Sequence, residues 1–374
     1  MIRKYATALL ALMAFLPLLA SPSWAADAAA PEKPELQPAL ERPMHAFPRV
    51  GGFEVLWGDF HIHTIHSDGK LTPAERVLEA WRYGYDAIAI TDHGNYKAYK
   101  EALPLAKTLG LILIRGLETG VANKEHFVAL GVSEDYEPRN PHRWAESQGQ
   151  EQVFYQEELR RIAEDGGVVI YAHPHVGLRE PTLWGIGQGI IQGVEVKNGV
   201  VGRGWNTAET HGTWCYPWGL EWAKEHNLAV FANSDAHGRR GENAEPVTLL
   251  FVKKRSDKGV LDAIRGRRTI AWFDGMLWGG EKVLADLIRS SIGVRHTRDE
   301  SGGGWLRLEN RGPVALKAAL QAECVPKEAV EIGPYAEVLV RCDDLKDTLA
   351  IRWENIWTSP KDNLVTTHDC RSAR

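Results

Sequence analysis

Seven short apolar runs between residues 54 and 235, each bounded by residues that bind protons or metals, constrain this chain more than any other feature. They are VLWGDF, DAIAIT, LILIRGLE, HFVALGV, GVVIYAH, GVEVKN and LAVFANSD. Amphipathic stretches separate several of them. LTPAERVLEAWRYG carries a complete helix-start signal: Thr72 as N-cap, Pro73 at the first helical position, Glu75 at the third, and Gly84 as the stop. QEELRRIAED and GLEWAKEHN read as further helices. Runs buried on both faces and alternating with helices indicate a parallel sheet or barrel. Seven strands fall one short of the common eight-stranded barrel, so a barrel of seven repeats, or an irregular one, fits better. EPVTLLFVKK and a helix over SDKGVLDAIRGRRTI close this domain, which spans residues 51–289.

Past residue 290 the texture changes. GWLRLENRGPVALKAAL, AVEIGPYAEVLVRC and DTLAIRWENIW alternate with a period of two between Gly, Asn and Pro turns. Residues 290–374 therefore read as a small antiparallel β-domain, sandwich-like. At the other end, Arg3 and Lys4 precede the apolar ATALLALMAFLPLLA, and Ser23-x-Ala25 offers the small residues of a cleavage site. Residues 1–25 read as a signal peptide, too short in its apolar run to be an anchor. The Ala-, Pro- and Glu-rich residues 26–50 read as a linker. The mature protein is expected to be secreted, periplasmic in a Gram-negative source.

A net charge of −5 without a long basic run argues against a nucleic-acid polymer or an anionic membrane as partner. Oligomeric state is left open. Export permits disulfides. Of the four cysteines, Cys324, Cys342 and Cys370 crowd the C-terminal end, so Cys324–Cys342 is the first pairing expected, although four cysteines allow three full pairings. None lies near the histidine motifs, which makes thiolate ligation of a metal unexpected.

The chemistry sits at the run ends. His61, His63, Asp68, His93, Glu118, His173, Asp235 and His237 all lie at or just past C-terminal ends, where a parallel barrel assembles its active site. His126 begins its own run and is the exception. In a strand, His61-x-His63 and Asp235-x-His237 each place two donors on one face. So many buried imidazoles and carboxylates would be costly without cations to neutralise them. The donor set suits Zn, Mn or Fe, and nine ligands serve two or three divalent ions, with Glu118 a candidate bridge.

DFHIHTIHSDG, ITDHGN, GLE, HFVALG, YAHPH and NSDAH, in that order, resemble the motifs of the PHP (polymerase and histidinol phosphatase) superfamily. The resemblance covers residues 54 to about 275 and implies an α/β fold, a distorted (β/α)7 barrel. It implies three metal positions: His61, His63, Glu118 and Asp235; Glu118, His126 and His173; Asp68, His93 and His237. Every position is filled. The expected activity is phosphoester hydrolysis by a metal-bound hydroxide, with Asp235, Glu118 and His237 central to catalysis. Asn198, Lys197, Arg179, Arg203, His175 and His66 are candidate substrate contacts. His66 is not expected to be a ligand. Export and the β-rich tail resemble exported phosphodiesterases of the superfamily acting on small organophosphate diesters. A phosphate- or nucleotide-scavenging phosphomonoesterase, a non-catalytic metal- or ligand-binding module, and a non-phosphate metallohydrolase are the alternatives.

Overall fold

The computed structural model describes residues 42–43, 45–120, 125–138, 151–199, 210–241, 245–345 and 347–370. The expected signal peptide and most of the linker lie outside these residues. The seven apolar runs form β1 (Glu54–Asp59), β2 (Ala87–Ile90), β3 (Ile112–Gly120), β4 (His126–Leu130), β5 (Val168–Ala172), β6 (Ile191–Asn198) and β7 (Ala229–Asn233). Between them run α1 (Pro73–Arg82), α2 (Lys97–Thr108), α3 (Glu151–Glu164), α4 (Glu180–Gly187) and α5 (Pro217–Glu225). α1 starts as its sequence requires: Thr72 and Glu75 form a reciprocal capping box with Pro73 inside the first turn.

β1, β2 and β3 pair in parallel, as do β5, β6 and β7. β4 departs from the expected parallel pattern. It runs antiparallel to both β3 and β5, because only residues 121–125 join it to β3, too short a link for a parallel crossover. This reversal accounts for His126. The start of an antiparallel strand lies at the same rim as the ends of its neighbours.

β8 (Val247–Val252) pairs antiparallel with β1, and β9 (Thr269–Phe273) antiparallel with β8. β7 meets this edge through side chains: Ala232 N donates to Thr248 Oγ1 and Val230 N to Thr269 Oγ1, both at 3.0 Å. Beyond the strand ends, Ile62 bridges Ala236 in parallel and joins the β1 and β7 rims. The interior holds alternating small and large apolar residues, among them Ala87, Ala89, Val128, Ile170 and Phe231. α6 (Asp257–Arg265) packs Val260, Ala263 and Ile264 onto them. The helix expected over SDKGVLDAIRGRRTI ends earlier than its apolar residues suggest. Arg267 takes a left-handed φ of 57°, and Thr269 onward is strand.

β10 (Met276–Gly279) and α7 (Glu281–Ser291) lead to β11 (Ile292–Arg298), β12 (Gly304–Asn310), β13 (Leu316–Gln321), β14 (Val330–Ile332), β15 (Glu337–Arg341), β16 (Thr348–Trp357) and β17 (Asn363–Asp369). Parallel pairing of β10 with β16 carries the barrel's sheet into β13, β14 and β17, while β11, β12 and β15 make a separate antiparallel sheet. Leu306, Leu308 and Val340 of the small sheet share a buried cluster with Leu349, Ile351 and Trp353 of the large one. Cys324 and Cys342 are disulfide-bonded, as expected; Cys215 and Cys370 are free and buried.

Candidate metal centre

The rim is tied together before any ligand is placed. Buried Arg76 on α1 donates from Nε to His63 O at 2.9 Å, from Nη2 to Ala236 O at 2.7 Å and from Nη1 to Gly238 O at 2.8 Å. One guanidinium thereby fixes the loops after β1 and β7 to each other. Asp92 orders the loop after His63, accepting from Thr64 N, Thr64 Oγ1 and Ser67 Oγ, each at 2.7 Å. Gly69 closes that loop, and a Cβ there would lie 2.5 Å from the His63 carbonyl, so no larger residue fits. Two of the rim residues, His173 and Asp235, hold left-handed φ values of 23° and 48°, a concentration of strain typical of functional sites.

On this frame the nine residues converge. Glu118, fully buried, is the hub. Its Oε2 lies 3.4 Å from both His61 Nε2 and His63 Nε2 and 2.7 Å from His93 Nδ1. Its Oε1 lies 3.0 Å from His126 Nδ1 and from His173 Nε2. Asp235 Oδ1 is 3.4 Å from His61 Nε2 and 3.1 Å from His63 Nε2. Asp68 reaches His93 and His237 at 3.3 Å. Four donor groups gather within 4.8 Å: His63, Asp68, His93 and His237; His61, His173 and Asp235; His61, His63 and Glu118; Glu118, His126 and His173.

The donors fit divalent cations. His61 Nε2, His63 Nε2, Glu118 Oε2 and Asp235 Oδ1 are all buried, face one another, and have no well-directed hydrogen bond. Buried polar atoms are rarely left so, and a shared cation satisfies all four. The electrostatics agree. Burial disfavours a charged His61, but Asp235, Glu118 and Glu195 outweigh it and hold its pKa well above the usual value. Burial likewise pushes Glu118 upward, and the surrounding histidines, led by His61 and His126, overcome this and hold it well below the carboxylate range. The cluster attracts positive charge, as protons or as metal.

The candidate substrate contacts are more scattered. β6 shifts register between Glu195 and Lys197. Lys197 Nζ is occupied by Trp214 O at 2.7 Å, Asp274 Oδ2 at 3.1 Å and Thr213 Oγ1 at 3.3 Å. Asn198 is buried and donates to Glu195 Oε2 at 2.9 Å. His66 Nε2 lies 2.8 Å from Glu101 Oε1 and joins none of the four donor groups. His175 is exposed, its Nδ1 2.8 Å from His173 O. Arg179 is exposed at the start of α4. Arg203 lies outside the described residues.

Sequence reasoning missed three residues that support the ligands. Glu195, fully buried on β6, lies 3.0 Å from His61 Nδ1. Asn233 accepts from Phe60 N at 3.0 Å and donates to Glu195 at 2.9 Å. Asp59 accepts from Ser234 N at 3.0 Å and pairs with Arg240 at 3.1 Å. A carboxylate set among valines in GVEVKN was the available signal for Glu195.

Residues 59–173 match the PHP domain family model. A 45-residue stretch is 53% identical to an uncharacterised protein of Methanocaldococcus jannaschii, covering 12% of this chain and 21% of that protein. A 60-residue stretch is 40% identical to the 5'-3' exoribonuclease of Haemophilus influenzae, covering 16% and 22% respectively. The matched region thus spans about a fifth of these curated relatives. A crystal structure from Bacteroides vulgatus, described as a two-domain protein containing a predicted PHP-like metal-dependent phosphoesterase, superimposes with a TM-score of 0.73 at 22% identity. That likeness covers 88% of this chain and 99% of the other, and it extends the shared fold through the β-rich tail. The segment 59–173 thus carries a match to the PHP domain family, and the chain as a whole shares the fold of the Bacteroides vulgatus protein.

Proposed function

We propose that the protein is an exported, metal-dependent phosphoesterase that hydrolyses small organophosphate diesters. The observation that carries this reading is the convergence of His61, His63, Glu118 and Asp235 on a common point with four buried donor atoms unsatisfied. Divalent ions bound there supply Lewis acidity to phosphoryl oxygens and an activated water. Glu118 presents one oxygen to His61 and His63 and the other to His126 and His173, which suits a carboxylate shared between ion positions. His237 and Asp68 stand at the more exposed edge of the cluster, with side chains 31% and 45% exposed, where a leaving group departs to solvent. His237 there can hand a proton to a departing alkoxide. Asn198, which donates to Glu195, and His175, whose Nδ1 lies beside His173 O, adjoin the cluster and are the candidate substrate contacts. Support for export is the leader-like sequence of residues 1–25.

Turnover of bis(p-nitrophenyl) phosphate against p-nitrophenyl phosphate tests the diester assignment; dominant monoester turnover overturns it. Asp235→Asn is expected to lower both metal content and diester hydrolysis by more than about 100-fold, given that even residues behind a ligand are worth 10–100-fold. Wild-type rates in that variant refute a metal mechanism at this site.

A further inference from the structure

We propose that Glu195 is the positioning residue that fixes the proton on His61 Nδ1 and thereby turns the Nε2 lone pair toward the metal centre. This inference rests on the metal-site reading above and deepens it. Glu195 receives four donors and has no exposed surface. Its Oε2 accepts from His173 N at 2.6 Å and from Asn198 Nδ2 at 2.9 Å. Its Oε1 accepts from Asn233 Nδ2 at 2.9 Å and lies 3.0 Å from His61 Nδ1.

Two backbone amides make this arrangement irreversible. The His173 N–H can only donate, so Oε2 must remain an oxygen. The Phe60 N–H donates to Asn233 Oδ1 at 3.0 Å, so Asn233 cannot flip and must present its NH2 to Oε1. Both oxygens of residue 195 are therefore held as acceptors, which only a carboxylate provides. An acceptor at Oε1 requires the proton on His61 Nδ1, and Nε2 is left to face Glu118 Oε2 and Asp235 Oδ1 at 3.4 Å. The same carboxylate holds the left-handed turn at His173, so one side chain orients donors from two of the metal-binding groups.

The inference makes an unusual ranking. In Glu195→Gln, the fixed His173 N–H selects the amide oxygen, and the amide NH2 is driven toward His61 Nδ1 and Asn233. His61 must then accept at Nδ1 and carry its proton on Nε2, pointing into the metal position. Glu195→Ala imposes no tautomer. Zn²⁺ alone, titrated into chelator-stripped protein against a chromophoric competitor, is expected to bind Glu195→Ala about 10–100-fold more weakly than wild type, and Glu195→Gln more weakly still. Melting temperatures of the metal-free proteins, read in parallel, separate loss of binding from loss of fold. A space-filling role predicts the reverse order, because Gln conserves volume. Glu195→Gln binding Zn²⁺ more tightly than Glu195→Ala, or Glu195→Ala matching wild type, overturns the inference. Should Glu195→Gln fail to fold, Glu195→Ala against wild type still decides it. Wild-type protein that binds no Zn²⁺ would fault the metal-site reading instead.

Discussion

Replacing Arg240 by Met removes the cation that neutralises Asp59 beneath the metal centre. The two side chains are 9% and 0% exposed, and Arg240 Nη1 lies 3.1 Å from Asp59 Oδ2. At an effective dielectric of about 20, that separation corresponds to roughly 5 kcal/mol of attraction. Arg240 also donates to Tyr85 Oη at 2.7 Å. Asp59 keeps hydrogen bonds from Ser234 N and, at 3.4 Å, from His61 N. Breaking a buried pair from one side costs about 3–5 kcal/mol, and that is the expected loss near neutral pH. The pH dependence has a definite sign. Burial already raises the Asp59 pKa, with Arg240 pulling it back down; without the guanidinium it rises further. A carboxyl whose folded pKa lies above its unfolded one favours the fold when protonated, and that contribution fades as pH climbs through the folded value. The deficit of Arg240→Met relative to wild type should therefore be larger at a neutral pH than at an acidic one. Urea unfolding of the metal-free proteins measures it at both values. Asp59→Asn combined with Arg240→Met should recover much of the loss, since no charge remains buried. A deficit below about 1 kcal/mol at the higher pH, or one that ignores pH, refutes the account of Asp59 as a charge that depends on Arg240.

Metal binding should release protons. Burial opposes a charged His93, but Asp68 and Glu118 push its pKa up to about 9, and His173 is likewise raised against burial by Glu118. Incoming cations must displace these protons, so affinity should climb with pH toward that value; calorimetry in buffers of different ionisation enthalpy counts the protons, and a count of zero near neutrality contradicts the ligand assignment. Converting both Cys324 and Cys342 to Ala opens a loop of sequence separation 18 and should cost about 3 kcal/mol. Thermal unfolding reads this directly, and an unchanged melting temperature would show that the β-rich tail does not depend on the crosslink.

Much of the barrel and its rim was legible because each strand is an apolar run stopped by a polar residue, and because Thr72, Pro73 and Glu75 announce α1 in their own sequence. The failures have physical causes. β4 reads as another barrel strand because direction leaves no trace in composition; only the short link after Gly120 hinted at a hairpin. The apolar pattern extends α6 through Ile270, but Arg267, not glycine, makes the left-handed turn that follows its end. The parallel pairing of β10 with β16 joins residues some eighty apart and has no local signature. Composition does not separate Lys197 from Asn198 at the end of β6; past the register shift after Glu195, Asn198 is buried against Glu195 while Lys197 Nζ is tied to Trp214 O and Asp274.

Glu195 shows what kind of residue such a reading misses. Ligands sit at strand ends, where chain direction changes and polarity is expected, so a search for terminal His, Asp and Glu finds them. The residues that aim the ligands lie one layer deeper, within strands whose neighbours are apolar. Glu195 lies between Val194 and Val196, and all three are buried. Asp59 closes β1 after Trp57 and Gly58, paired with a residue far along the chain. A carboxylate tolerates such a place only if donors meet its oxygens, and three of the four at Glu195 come from other strands: Asn233 from β7, the His173 amide after β5, and His61 after β1. The cost of burying the charge thus makes the residue diagnostic. A lone acid inside an apolar strand implies several partners brought to it by the fold, and when its flanking strands end in histidines, those partners include the ligands themselves.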